Sequence, residues 1–382
     1  MRIWASLLLC FGLGACASAP PLPSPQPLFH DELFTAPSQR ISADDVFALS
    51  DSMRRYLHTE IDAELRARGR QRGLVAALYK RTELQLTYDT TMTRNAAEAF
   101  EARSGNCLSL VIMTAAFARE LGLQVNFQSA YTDETWSRSG GMFFKSGHVN
   151  VTLGRRLIDS GTTVDPAQVT VDFLPGEEIR GLRTHAISDQ TVIAMYMNNR
   201  AAEALAQGQL NDASWWARMA MIQSPAFVSS YNTLGVIYLR HGDLREADQV
   251  FRAVLDREPE NTPALSNHAQ VLKQQGRMAD ADAALRKLAQ IEPYPPFHFF
   301  NLGVAAMAKS DYAAARDLFA REVDRAGQYH EFHFWLAVAN LKLGDIAEAR
   351  KHLALAMENS TTLRDRDLYS AKLEWLRSHG YR

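Results

Sequence analysis

The sequence predicts an α+β domain followed by an all-α repeat superhelix, and two observations carry that prediction. A nearly all-apolar helical stretch at 107–118 is followed by alternating, strand-like patterns at 125–131 and 148–153. From about Ala194 the strand signal ceases, and alanine- and aromatic-bearing segments return every 34 residues without an insertion. The chain of 382 residues is long enough for several domains, and a composition of 47% hydrophobic and 22% charged residues is that of a folded protein. Forty-one basic residues against 43 acidic ones give a net charge of −2. That balance lacks the basic excess that phosphate-backbone binding needs, so nucleic acid is not an expected partner.

The first element is an address. Met1-Arg2 supplies a positive start, 3–13 an apolar stretch too short to span a bilayer, and Leu13-Gly14-Ala15-Cys16 a small-residue end. The last four residues resemble the lipobox of bacterial lipoproteins. The resemblance implies lipidation of Cys16 and cleavage after Ala15. With Ala17 rather than aspartate next, it also implies an outer-membrane location facing the periplasm. Segment 16–40 carries six of the 14 prolines and reads as an extended tether, with the folded part expected from Ile41. Of the three cysteines, Cys10 leaves with the leader 1–15 and Cys16 is acylated. Cys107 is then the single free thiol, and no internal disulfide is expected.

The domain at 41–185 opens with two helices over 43–82, through Val46, Leu49, Met53, Leu57 and Ile61 and then Leu74, followed by an extended 84–88. A short helix at 96–103 is broken by Ser104-Gly105-Asn106, and the apolar helix starts at Cys107 and stops at Gly122. At a helix N-terminus the unpaired N–H groups and the macrodipole favour a thiolate over a thiol. After the strand at 125–131 and a Gly140-Gly141 loop, His148 opens a second strand. Taking Gly154-Arg155 as a two-residue turn puts Asn150 opposite Asp159, makes His148 and Asp159 diagonal neighbours on one face, and gathers Val149, Val151 and Ile158 on the other.

Arg103-Ser104-Gly105-Asn106-Cys107, the Ala118-Arg119-Glu120-Leu121-Gly122 helix end, Gly147-His148-Val149-Asn150-Val151 and Leu157-Ile158-Asp159 resemble the transglutaminase-like superfamily, with its papain-like Cys-His-Asp logic, over about 80–175. The resemblance implies Cys107 as nucleophile, His148 as general base and acid, and Asp159 as the group that orients the imidazole. Thr163-Val164-Asp165-Pro166 makes Asp165 a rival for the third role, with the hairpin geometry favouring Asp159. The implied reaction is acyl transfer through a thioester, ending in hydrolysis or transamidation, with the Cys107 N–H as an oxyanion donor. No phosphate-binding glycine loop or paired-cysteine pattern occurs. His330-Glu331-Phe332-His333 has no third ligand in sequence, so no cofactor and no metal are expected.

In the C-terminal half, Tyr231, Leu234, Gly235, Tyr238, Ala247, Phe251 and Pro259 stand at the signature spacings of tetratricopeptide repeats, and weaker copies recur in steps of 34. Five units at 194–363 result, with 364–382 as a capping helix. The resemblance implies a curved scaffold whose groove holds a peptide or protein partner. In the family's register the groove face includes Asn232, Gln270, Lys273, Phe300, Val304 and Phe334, while Val236 stands where a terminal-carboxylate clamp needs a polar residue. The sequence thus reads as an envelope lipoprotein with thiol-dependent acyl transfer on a peptide or protein, whose repeats bind the partner or substrate. The rival reading is a non-enzymatic scaffold lipoprotein.

Overall fold

The computed structural model describes residues 24–79, 84, 86–131, 136–139, 142–145, 148–154, 168–173 and 183–378. The leader and Cys16 lie outside these residues. Helix α1 (Asp51–Arg55) starts where the Ser50 side chain accepts a hydrogen bond from the Met53 N–H. Val46 is fully buried from a turn instead of a helix, so the apolar pattern overestimates that helix at its start. A π turn at Tyr56–Glu60 leads to α2 (Asp62–Arg68) and α3 (Arg70–Tyr79).

Strand β1 (Thr87–Tyr88) pairs in parallel with β2 (Ser104–Gly105). Between them lies α4 (Ala96–Ala102), closed at its start by a reciprocal Asn95–Glu98 capping box. Arg103, at φ 49°, turns the chain out of α4, and α5 (Cys107–Glu120) follows after β2. Every side chain of α5 from 108 to 118 is buried, as an apolar-all-round helix requires.

Six more strands follow: β3 (Gln124–Tyr131), β4 (Trp136–Ser139), β5 (Met142–Lys145), β6 (His148–Gly154), β7 (Val169–Val171) and β8 (Arg183–Ile187). β4 and β5 form a hairpin, and the others make an antiparallel sheet in the order β7-β6-β3-β8. This corrects the expected hairpin across Gly154-Arg155. Val151 pairs with Phe127 of β3 on one edge and with Val171 of β7 on the other. A strand has two edges only, so Ile158 cannot be the partner of Val151 and the register that favoured Asp159 does not exist. Asp159 and Asp165 themselves lie outside the described residues.

Ten helices then stand in five antiparallel pairs: α6 (Asp189–Ala206), α7 (Leu210–Gln223), α8 (Val228–His241), α9 (Leu244–Arg257), α10 (Thr262–Gln274), α11 (Met278–Ile291), α12 (His298–Ala308), α13 (Tyr312–Arg325), α14 (His330–Leu343) and α15 (Ile346–Glu358). A last helix, α16 (Leu363–Ser378), covers the fifth pair with Tyr369, Leu373 and Leu376. The second helices of the pairs start at 210, 244, 278, 312 and 346, in steps of 34. Small residues let the paired helices approach: a Cβ on Gly235 would stand 2.7 Å from the Phe251 ring, and one on Gly303 would stand 2.6 Å from Phe319, two periods on.

Each turn between paired helices uses one left-handed residue, at Gly208, Gly242, Gly276, Ser310 and Gly344. Ser310, at φ 60°, is the one that carries a Cβ there. A left-handed conformation costs an L-residue about 1–2 kcal/mol, partly offset by the greater chain entropy of glycine. Ser310→Gly is therefore expected to raise stability by about 0.5–1 kcal/mol, read as a higher urea midpoint with an unchanged m-value. A lower midpoint would contradict this account of the turn.

One continuous apolar cluster runs from Val46 through α5, β3 and β6 into the repeats as far as Val271, so the α+β domain shares a core with the first two pairs and the first helix of the third. Separate clusters hold α12–α14 and α14–α16. The far end of the array also touches the domain: both the N–H and the hydroxyl of Thr90 donate to Thr361 O, at 3.1 and 3.2 Å.

The tether expectation fails for its described part, which is folded down on the first two pairs. Leu28 O accepts from the Tyr238 hydroxyl at 3.0 Å, Thr35 O from Trp215 Nε1 at 2.7 Å, and Asp212 takes both the N–H and the hydroxyl of Ser38 at 2.7 Å. Asp31 pairs with Arg218 at 2.9 Å, and that guanidinium lies over the Phe29 ring. The segment makes two 3-10 turns, Gln26–Leu28 and Asp31–Leu33, side chains of the repeats satisfy part of its backbone, and Phe29 and Phe34 pack on the shared core.

Candidate active site

Two features place Cys107. Asn106 caps α5 through its Oδ1, which accepts from the Ser109 N–H at 2.9 Å, and β2 ties the preceding residues to β1, with Gly105 opposite Tyr88. A Cβ on Gly105 would meet Ser109 Cβ at 2.6 Å, so only glycine lets the strand run this close to the helix start. The thiol is half-buried. His148 opens β6 as expected from the sequence, and period-two alternation puts His148, Asn150 and Thr152 on one face of the strand and Val149, Val151 and Leu153 in the apolar core.

His148 Nε2 lies 2.8 Å from both carboxylate oxygens of Asp172, the residue immediately after β7. Both side chains are nearly enclosed, 4% and 7% exposed. Asn150 Nδ2 donates to Asp172 Oδ2 at 3.3 Å, and the hydroxyls of Thr152 and Thr170 meet at 3.2 Å, so the β6–β7 pairing carries the carboxylate to the ring. Asp172 therefore holds the position expected for Asp159. The sequence does contain its signal, a strand-like Val169-Thr170-Val171 ending in Asp172-Phe173, but the short turn after β6 drew the assignment to nearer aspartates.

Burial alone would lower the basicity of His148. Hydrogen bonds to Asp172 and to Cys107, with the electrostatic attraction of both, outweigh it and hold the imidazole at about 9 instead of 6.5. The ring is thus an imidazolium at neutral pH, pinned by a carboxylate and engaged with a sulfur. Because its folded value is the higher one, this interaction stabilises fully below pH 6.5 and is lost as pH rises through about 9. The stability gap between the wild type and His148→Gln should accordingly shrink over that window in urea titrations. A gap independent of pH would mean that the ring is not charged in the folded state.

The partner-binding candidates divide. Gln270 and Lys273 are exposed, and Asn232 is half-buried and accepts from Asn267 Nδ2 at 3.2 Å across the second and third pairs. Phe300 is 3% exposed and packs with Phe297, Phe319 and Phe332, and Val236 is 4% exposed. Phe300 is a core residue, a correction that follows from the thinness of the array: helix faces between successive pairs have little apolar surface to spare. Val304 packs half-buried beside it, and Phe334 stacks on Tyr369 of α16. His330 meets the Tyr369 hydroxyl and His333 meets His352, and among the described residues no three potential ligands converge on a metal position.

Family models of the tetratricopeptide repeat match residues 238–297 and 300–362. The C-terminal helices are tetratricopeptide repeats. Solved structures similar to this chain include MamA 41-end from Desulfovibrio magneticus RS-1 (20% identity, 46% of this chain and 97% of that one, TM-score 0.27). Pseudomonas aeruginosa pilF matches at 18% identity over 50% and 94% of the two chains, with a TM-score of 0.28. A thermophilic tetratricopeptide-repeat protein of Thermus thermophilus matches at 16% over 47% and 98%, with a TM-score of 0.30. No curated protein matches the chain. Tetratricopeptide repeats bind peptide or protein partners, and the array gives this chain a binding or scaffold role. No helix among the described residues is long and apolar enough to cross a membrane.

Proposed function

We propose that this chain is a partner-binding repeat protein carrying a thiol acyl-transfer centre of Cys107, His148 and Asp172, held at the outer membrane, facing the periplasm, by lipidation of Cys16. The observation that carries the enzymatic reading is the enclosed His148–Asp172 pair beside a half-buried thiol at a helix start. Nε2 on the carboxylate fixes the ring and leaves Nδ1 as the nitrogen that exchanges a proton with sulfur. Cys107 Sγ attacks the carbonyl carbon of an amide or ester while the oxyanion faces the first N–H groups of α5, which have no partner within the helix. His148 gives its proton to the leaving amine or alcohol, and a thioester forms. Water or an amine then attacks the thioester, loses its proton to His148, and releases the acyl product and the thiolate.

The repeats supply the substrate or partner site, and the acyl donor is a peptide or protein. The test is trapping: an activated acyl ester should leave one acyl group on the Cys107 peptide, seen by mass spectrometry in the wild type and absent in Cys107→Ala. No adduct, with alkylation of Cys107 no faster in the wild type than in His148→Ala, would sink the enzymatic reading. A second reading, a scaffold whose cysteine domain performs no chemistry, is favoured by one observation: the family-model matches are confined to the repeats. It predicts that Cys107→Ala keeps full function in the cell.

A further inference from the structure

The loop between β1 and α4 carries a side chain with no place in the acyl-transfer scheme. Thr93 is 1% exposed, belongs to no regular element, and has its hydrogen-bonding groups engaged by α6 or by the cap of α5. Its N–H donates to Glu203 Oε1 at 2.7 Å, its carbonyl accepts from Arg200 Nη1 at 3.1 Å, and its Oγ1 accepts from Asn199 Nδ2 at 3.2 Å. The same Oγ1 accepts from Asn106 Nδ2 at 2.8 Å. Asn106 Oδ1 in turn takes both the N–H and the hydroxyl of Ser109, whose oxygen accepts from the Arg94 N–H at 2.8 Å. A continuous set of hydrogen bonds therefore runs from three residues of the first repeat helix to the residue bonded to Cys107. Arg200 and Arg94 are the cations that face the half-buried Glu203. The loop is also held from the other end of the array, through Thr90 and Thr361.

We propose that Thr93 and Glu203 are positioning residues for Cys107, so that the first repeat helix sets the geometry of the thiol against His148. The inference rests on the acyl-transfer reading of Cys107 and deepens it: a partner that changes the curvature of the array moves the loop at both of its holds, and the nucleophile with it. Thr93→Val removes the shared acceptor, Glu203→Ala removes the carboxylate under the Thr93 N–H, and Thr93→Ser keeps the hydroxyl.

The experiment is iodoacetamide alkylation of the full chain from about pH 5 to about pH 10, read at the Cys107 peptide by mass spectrometry and paired with thermal unfolding. Thr93→Val and Glu203→Ala should slow alkylation about ten- to a hundredfold near neutral pH, the effect of an ångström-scale misplacement, and displace the pH profile. Thr93→Ser should restore both. Profiles that superimpose on the wild type while His148→Ala is slow would overturn the positioning role and leave the acyl-transfer reading standing, even if both variants melt lower. A His148→Ala rate equal to the wild type would remove that reading and this inference together. If Glu203→Ala does not fold, Asn199→Ala, which deletes one donor to Thr93, carries the same test.

Discussion

Asp172→Ala is expected to lose Cys107 reactivity and stability together. The carboxylate accepts two 2.8 Å contacts from a ring that is 4% exposed, so its removal leaves a buried imidazolium without its counter-charge. Breaking a buried pair by deleting one member costs about 3–5 kcal/mol, and loss of an aligned acid–base group costs about a hundredfold or more in rate. The two effects can be separated with Asp172→Asn, which keeps the shape and one acceptor oxygen. It should recover much of the stability and little of the thioester formation, because an amide neither favours the charged ring nor fixes its tautomer. Denaturant titration and acyl trapping read the two quantities independently. A fully active Asp172→Ala protein would return the third role to an aspartate outside the described residues.

Phe251→Ala is expected to cost about 3–5 kcal/mol of stability, since the ring is fully buried against Gly235 and cannot be replaced by a small shift. The location of the loss matters as much as its size. Phe251 belongs to the cluster that includes α5 and β6, so hydrogen exchange should accelerate in the cysteine domain as well as in the repeats. Phe319 occupies the equivalent position two periods on but belongs to the separate cluster of α12–α14. Phe319→Ala should cost a similar amount and open the last two repeats first, leaving the protection of α5 unchanged. Equal exchange behaviour of the two variants would show that the array unfolds as a single unit.

Much of the fold was legible because it is written in short-range patterns. The 34-residue period follows from stacking one helix pair on the next, and it located the second helices and the glycine–phenylalanine contacts. The start of α5 was legible for the same reason: the Ser104-Gly105-Asn106 break, an apolar run after it and a glycine stop are local signals. They placed Cys107 at a helix N-terminus, and alternation placed His148 at the head of a strand. The irregular start of α1 was not legible, because burial of Val46 from a turn gives the same apolar spacing as burial from a helix.

What the sequence by itself determined is therefore the 34-residue helical repeat, the helix that starts at Cys107 and the strand that His148 opens. Tertiary structure alone decided which carboxylate meets His148. Whether His148 meets Asp159, Asp165 or Asp172 depends on which strand takes the open edge of β6, and edge pairing is chosen by the whole sheet and not by the shortest turn. The same holds for the proline-rich segment that lies on Trp215 and Tyr238, for the burial of Phe300, and for the bonds from Asn199, Arg200 and Glu203 to Thr93. Each of these contacts joins residues far apart in the chain. Periodicity fixes which face of an element is apolar, and only the packed structure determines what that face meets.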